Sequence, residues 1–505
     1  MTNTISILQK REEKALRKQK QKESARERRR KFIGKAKGVD HGQPGVVTYQ
    51  LQEGAEKSGL PDRTKPFTVL GIESSCDDTG AAVVRSDGAI LGEALASQHD
   101  IHEEWGGVVP GLARDAHVAK IDGIVNLALE RAGLDSMEQV DAIGVTVGPG
   151  LEICLRVGAT KARELALQYK KPFVGVHHLE AHILMARLPL MVGTASTSGS
   201  NSSTSNVVHI PATSERHASI RALDFPFLAL LVSGGHCQIL NCLDIGKYTI
   251  LGGTMDDSLG EAFDKVARLL GLPVGGGGGP AVEALAKQGD PTSVRLPVPL
   301  QNKRNSRDNL DFSFAGLKTA VRRAAEKLCG ADQDGNVTGL LTEEDKANIA
   351  ASFQHVAMKH IEQRLERAMK LVDKQAGDRG SPTRIRSLVV VGGVAANEEL
   401  RSRLEALCDR LSENEEVDDA INREKEGIPT GIENHDSHSA ASTATASINT
   451  NGWKMFVPPP RLCTDQGSMS AWAAIERLYL KASSDDPTTQ EVHARYPFAL
   501  EHDTK

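Results

Sequence analysis

The chain has 505 residues, of which 39% are apolar and 4% aromatic, with 47 glycines and a net charge of −5. That length holds two large lobes or one duplicated fold, and the glycine-rich, aromatic-poor make-up fits an α/β protein with many tight turns. No apolar run approaches the roughly 18 residues of a membrane span, so no membrane partner is expected. Seven scattered cysteines, without a C-x-x-C pair, argue against a disulfide framework or a zinc ribbon and for a reducing compartment.

Residues 1–65 read as a basic extension or presequence. Positions 1–38 carry 14 Lys/Arg against four Asp/Glu, which leaves the remainder of the chain strongly acidic. With few apolar residues to bury, this start is expected to be disordered. It is a solvated tail, an RNA-contacting arm, or a degenerate organellar presequence; its four glutamates fit the last poorly.

The folded body is expected to begin near Pro66, with a first lobe over 66–190. "FTVLGIESSCDDTGAAVVRSDG" reads as strand, polar turn, strand and glycine turn, and 113–132 carries a helical pattern. "VGVHHLEAHILMA" then places His178 and His182 four apart, on one face of a helix. Such a pair is either satisfied by carbonyls and water or forms two arms of a metal site. Glu180 does not complete H-E-x-x-H, so a third ligand would have to come from elsewhere. Residues 191–222, which contain the Ser/Thr-rich "GTASTSGSNSSTSN", read as a flexible insertion.

A second lobe over 223–480 repeats the plan. "FLALLVSGGHCQILNCLDIGKY" is again strand, glycine turn, strand and turn, and "SLVVVGGVAAN" is a third strand ending in glycines before a helix. Glycine turns let backbone N–H groups approach a ligand and form an anion-binding concavity, and a helix N-terminus adds to it. Helical patterns cover 256–271 and 343–373. Asp256 and Asp257 suit the first helix as caps, Asp264 fits a solvated face of it, and the five glycines 275–279 predict a loop. The acidic, low-complexity stretch 412–452 reads as a second insertion; its His435 and His438 have no rigid scaffold and are set aside. Asp465, in a Thr-Asp-Gln-Gly turn before a helix, is an N-cap or a ligand, and 481–505 reads as a C-terminal tail. Two halves, each a hairpin followed by helices, point to a duplicated α/β fold with a cleft between them.

Taken in order, "GIESSCDDTG", "WGGVVPGLARDAH", "GPGL", "HHLEAH", "LVSGGH", "DDSLGEAFDK", "FSFAGLKTAV", "VGGVAAN" and "CTDQGSM" resemble the TsaD family of tRNA threonylcarbamoyladenosine transferases. The resemblance runs from about Val69 to Leu478, outside the two insertions. It implies the ASKHA fold of actin and the sugar kinases, a duplicated two-lobe α/β architecture with a central cleft. It implies that His178, His182 and Asp465 bind one divalent metal per subunit, zinc or iron, and that Leu231, Val232, Ser233, Gly234, Gly235, Asp264, Gly279 and Asn397 contact substrate. The activity implied is transfer of threonylcarbamoyl from threonylcarbamoyl-AMP to the adenosine beside the anticodon of tRNAs reading ANN codons. Asp77, in the loop facing the cleft, is the candidate base, or only organises its turn.

The resemblance has departures. The glycine run replaces the family's Pro-Gly-Gly-Pro, which leaves the register of Gly279 open, and Glu152 and Arg156 stand where the family carries smaller or apolar residues. Leu231 matches the bacterial and organellar branch, which implies a mitochondrial protein, with plastid or cytoplasm as alternatives. Mitochondrial relatives act as homodimers, whereas bacterial ones need accessory subunits. The competing classes are a small-molecule kinase of the same fold, a metallopeptidase and a non-catalytic scaffold.

Overall fold

A computed structural model describes residues 47–48, 60–103, 105, 107–189, 223–274, 277–301, 309–330, 339–378, 384–425, 452–480, 484–496 and 500–501. The chain divides into two units, Met1–Val46 and Val47–Lys505, and the first lies wholly outside the described residues. The folded unit therefore starts earlier than Pro66. Val47–Thr48 (β1) pairs as a strand with Tyr248 and Lys247, a segment too short to show any alternation in sequence. The insertion expected at 191–222 also falls outside the described residues.

In the first lobe, β2 (Thr68–Glu73), β3 (Asp78–Arg85) and β4 (Ile90–Ser97) form an antiparallel meander. A short helix α1 (His99–Glu103) and a long helix α2 (Pro110–Arg131) lead to β5 (Ala142–Gly148), α3 (Glu152–Tyr169) and β6 (Phe173–His177). The sheet order is β4-β3-β2-β5-β6, with β5 parallel to both β2 and β6. Because successive strand residues face opposite ways, β2 and β3 feed two cores. Leu70, Ile72, Ala81 and Val83 pack with Ile121, Val125 and Leu165 of α2 and α3. Val69, Ala82 and Val84 pack with Met469, Trp472 and Ile475 on the opposite face. Each fully buried aliphatic side chain of this kind contributes about 1.5–3 kcal/mol. β6 runs directly into helix α4 (His178–Met185).

The second lobe repeats the order. β7 (Phe227–Val232), β8 (Cys237–Asp244) and β9 (Lys247–Gly253) form a meander, followed by α5 (Leu259–Leu269), α6 (Gly278–Ala286), α7 (Ala315–Leu328) and α8 (Glu343–Asp378). β10 (Ser387–Val391) lies parallel to β7, α9 (Glu398–Lys425) follows, and β11 (Lys454–Phe456) adds to β10. Helix α10 (Gly467–Tyr479) then returns to the first lobe, and β12 (Leu500–Glu501) pairs with β9. The order β9-β8-β7-β10-β11 mirrors β4-β3-β2-β5-β6. This is a duplicated two-lobe α/β architecture, as the motifs imply.

Three expectations change. Gly278 and Gly279 do not lie in a loop; they form the first turn of α6. The chain bends at Gly277, where φ is +90°, and the Asp264 carboxylate accepts the Gly278 N–H at 2.6 Å, satisfying a helix-terminal donor that glycine's low propensity alone would not recruit. The acidic stretch is not irregular from its start, because α9 continues through Ser412 to Lys425. Asp256 does not cap the helix it precedes. Ser258 caps α5, whereas Asp256 accepts the N–H groups of Phe314 and Ala315 at the start of α7, 58 and 59 residues on.

Candidate functional site

Helix α4 sits between the lobes. Leu179 and Ile183 pack with Phe227, Ala229 and Leu231 of the second sheet, while Ala181, Leu184 and Met185 pack with the first lobe and α10. Glu180 is buried and accepts hydrogen bonds from the Gly246 N–H and the Tyr248 hydroxyl, both at 2.9 Å. With those faces committed, the remaining stripe carries His178 and His182. Their rings meet edge to face, with centroids 4.7 Å apart.

Asp465 reaches this stripe from the turn before α10. Its Oδ1 lies 2.9 Å from His182 Nε2 and 3.7 Å from His178 Nε2. The N-cap of α10 is Gln466, so the capping reading of Asp465 falls away. Close approach makes this placement possible. A Cβ on Gly71 of β2 would stand 2.1 Å from the Gly467 carbonyl oxygen, so only glycine lets α10 lie this deep on the sheet. One ligand-type atom from each of His178, His182 and Asp465 falls within 4.8 Å of the others. Two imidazole nitrogens and a carboxylate oxygen are the donor set that zinc and ferrous iron accept, with positions left for substrate. The three residues fit such an ion.

Glu73, fully buried at the end of β2, lies behind His178. Its Oε2 is 3.7 Å from His178 Nδ1, and the Ser75 hydroxyl is 3.3 Å from the same nitrogen. Nδ1 is thus engaged, and Nε2 faces Asp465. Burial opposes charge on His178, but the carboxylates of Asp465 and Glu73 outweigh it and push the imidazole up to about 9. Burial alone would raise Asp465; His178 and His182 instead hold its carboxyl far below the usual range.

Asp77 lies half-buried in the β2–β3 turn, and its carbonyl accepts the Gln98 N–H at 3.1 Å. His117 of α2 braces this turn. Its Nδ1 accepts from the Thr79 hydroxyl at 2.7 Å, and its Nε2–H donates to the Cys76 carbonyl at 3.1 Å. The next residue, Asp78, has its carboxyl raised to about 6, first by burial and then by Asp77. Asp264, across the cleft, is raised chiefly by burial, with Asp77 adding to it. The two lobes therefore present acids to the same space.

The glycine turns stand side by side at the C-terminal ends of the parallel strands β7 and β10, where open α/β sheets place their ligands. Gly392 (φ +93°) packs its Cα against Val232, where a Cβ would meet the carbonyl oxygen at 2.4 Å. The Ser233 N–H donates to the His236 carbonyl at 2.8 Å, closing the first turn, and Gly234 and Gly235 are exposed with open space where a Cβ would stand. Gly279 is likewise open. Leu231 and Val232 have 0% exposure inside β7, so their side chains support the turn from beneath. Asn397 is buried too. Its Oδ1 accepts the Leu400 N–H at 3.0 Å and its Nδ2 donates to Gln354 at 3.2 Å, which makes it the cap of α9.

Sequence reasoning missed Glu73, His117, Asp78 and His236, although each sits inside a quoted motif. His236, half-buried after the first glycine turn, is pushed down to about 4 by burial and then by His178 and His182, which places it beside the cluster. The available signal was position within those motifs; what each residue touches depends on partners remote in sequence.

Paired glycine turns at the ends of parallel strands and a His–His–Asp cluster mark a two-lobed α/β protein with a polar site between its sheets. The family model for TsaD, tRNA N6-adenosine threonylcarbamoyltransferase, matches residues 89–204 and 190–414. The probable mitochondrial tRNA N6-adenosine threonylcarbamoyltransferase of Arabidopsis thaliana is 38% identical over 441 residues, covering 86% of this chain and 75% of that protein. The tRNA N6-adenosine threonylcarbamoyltransferase of Brucella canis is 39% identical over 437 residues, covering 86% of this chain and 95% of that protein. Among solved structures, HypF of T. kodakarensis covers 84% of this chain and 49% of its own, at a TM-score of 0.42 and 13% identity. The chain belongs to the TsaD family of tRNA N6-adenosine threonylcarbamoyltransferases.

Proposed function

We propose that this protein transfers a threonylcarbamoyl group from threonylcarbamoyl-AMP to N6 of the adenosine beside the tRNA anticodon. The observation that carries the reading is the meeting of His182 and Asp465, 283 residues apart, next to paired glycine turns in one cleft. The exposed N–H groups of Gly234 and Gly235 would take the phosphate of AMP. Asp264 and the first turn of α6, including Gly279, would border the nucleotide from the other side. N6 attacks the carbamoyl carbon, the N–C bond forms, and the C–O bond to phosphate breaks with its electron pair leaving on AMP. Asp77 takes the N6 proton, directly or by positioning the group that does. His178, His182 and Asp465 would hold one divalent ion, iron or zinc, which would supply Lewis-acid polarisation of a bound oxygen.

We also place the protein in mitochondria, as a homodimer that acts without accessory subunits. The mitochondrial name of the Arabidopsis relative supports the compartment. Among the described residues no helix is long and apolar enough to cross a membrane.

The test is incubation of the purified protein with threonylcarbamoyl-AMP and tRNA, followed by nucleoside analysis of the digested tRNA. His178→Ala, His182→Ala and Asp465→Ala should each lose most bound metal and most product. No modified adenosine from the intact protein would sink the transferase reading. Unchanged metal stoichiometry in the three variants would return them to ordinary structural residues.

A further inference from the structure

Beyond Leu478, where the resemblance ends, the chain continues onto the first lobe and does not stay a tail. Asp485 forms an antiparallel bridge to Phe173 of β6, and its carboxylate accepts the Gly175 N–H at 2.8 Å. Arg163 of α3 donates to the carbonyls of Pro487 and Gln490 at 2.6 and 2.9 Å. The segment then crosses the C-terminal ends of β5 and β6. The His493 N–H donates to the Val147 carbonyl at 2.8 Å, and the His493 carbonyl presses on Gly148, where a Cβ would stand 2.3 Å away.

It ends on His177, the residue before the first histidine of the cluster. His177 has 0% exposure. Its Nε2 lies 3.1 Å from the Tyr496 carbonyl oxygen, and its Nδ1 lies 3.2 Å from the Leu179 N–H. A carbonyl can only accept and a backbone N–H can only donate, so one tautomer serves both: Nε2–H donates to Tyr496 and Nδ1 accepts from Leu179. That second bond is the N-cap of α4. The Tyr496 ring stacks on the imidazole at 4.9 Å, and the His493 ring packs on Tyr496 at 4.5 Å, which holds the plane of His177.

We propose that the segment Asp485–Tyr496 is a positioning element of the His178/His182/Asp465 centre: it holds His177 in the tautomer that caps α4 and so sets where His178 and His182 project. His177 is a positioning residue and touches no substrate. The proposal rests on the metal reading above only for its consequence; the cap itself is a property of the protein alone. Outer partners that orient metal-ligating histidines are worth about ten- to a hundredfold in metal affinity, and the strap would act through one such arrangement, one residue before the ligand.

The experiment compares the full-length protein with His177→Leu, His177→Asn and a deletion of residues 485–505. Amide hydrogen exchange of the α4 peptide is measured without added metal, and Co²⁺ is titrated with its visible spectrum as the readout. His177→Leu and the deletion should speed exchange at Leu179 to His182 and weaken Co²⁺ about tenfold or more, with an altered spectrum. His177→Asn, a good N-cap with both an acceptor and a donor, should recover most of both. Wild-type exchange in α4 of His177→Leu would overturn the proposal, as would a His177→Leu protein that binds Co²⁺ with wild-type affinity and spectrum. If the deletion fails to fold, the two His177 variants decide. If the intact protein binds no Co²⁺, the metal reading falls, and the exchange data alone uphold or overturn the strap.

Discussion

Replacing Gly71 with alanine tests whether the placement of Asp465 depends on the depth of α10 in the first lobe. A Cβ at this position would stand 2.1 Å from the Gly467 carbonyl oxygen, 2.3 Å from the Ala471 nitrogen and 2.7 Å from the Ala471 Cβ, where ordinary contacts begin at 3.4 Å. The nearest two are backbone atoms, so no side-chain rotation relieves the clash. The helix must retreat by about 1 Å. Overpacking of this kind costs about 1–3 kcal/mol, and contacts this short belong at the upper end. With an unfolding entropy of about 2.1 cal/mol/K per residue, a chain of 505 residues loses about 1 °C per kcal/mol, and the melting temperature should fall by about 3 °C. Asp465 lies two residues before α10, and a shift of about 1 Å takes its 2.9 Å approach to His182 beyond hydrogen-bond range. Zinc affinity should therefore fall together with stability. Differential scanning calorimetry and zinc competition against a chromophoric chelator measure the two. Gly123→Ala is the control: it is exposed on α2 with nothing within 4 Å of a Cβ, and it should melt at or above wild type. A Gly71→Ala protein that melts within about 1 °C of wild type and binds zinc as well would refute the argument.

Gly234→Val and Gly235→Val should fold normally, since nothing lies within 4 Å of either Cβ, yet bind a non-hydrolysable threonylcarbamoyl-AMP analogue more weakly by calorimetry; wild-type affinity in both would place the phosphate elsewhere. Asp77→Asn should lower single-turnover transfer by about a hundredfold or more while leaving metal content intact, and a wild-type rate would leave Asp77 an organiser of its turn. His360, with 0% exposure, accepts the Ser313 N–H at 3.3 Å and is pushed down to about 4 by burial and then Arg367, with Asp256 pulling the other way. Its unfolded value near 6.5 means that the unfolded chain binds the extra proton, so its contribution is fully present above pH 6.5 and fades as pH falls toward 4. At pH 5 the loss is about 2 kcal/mol; His360→Gln should shrink the difference in melting temperature between pH 7 and pH 5, and an undiminished difference would contradict this.

Strong local patterns survived folding. Apolar runs such as "TVLGIE" and "FLALLV" became β2 and β7, because a strand buried on both faces writes its whole length in aliphatic residues. The i, i+4 spacing of His178 and His182 put both on one face of α4, since helical geometry alone fixes that relation. Short or weakly patterned strands were not legible. β1, β9 and β11 take their identity from the neighbours that complete their hydrogen bonds.

Within the cleft, the sequence could name residue types but not partners. Asp465 by itself reads as a cap sooner than as a ligand, until α10 folds back onto the first sheet and turns its carboxylate to His182. Asp256, adjacent to one helix, caps another 58 residues away, and Asn397 spends its side chain on α9 and Gln354. Those outcomes depend on which backbone donors are left unpaired after packing, and local sequence carries no record of them. The same holds for the segment after Leu478: only the assembled first lobe, with its open strand ends and the buried imidazole of His177, supplies the donors and acceptors that make it a strap. The sequence determined a duplicated α/β fold and the chemical vocabulary of its cleft. Tertiary packing decided which carboxylate meets which imidazole, because hydrogen-bond complementarity between distant residues exists only once the two lobes are closed around α4.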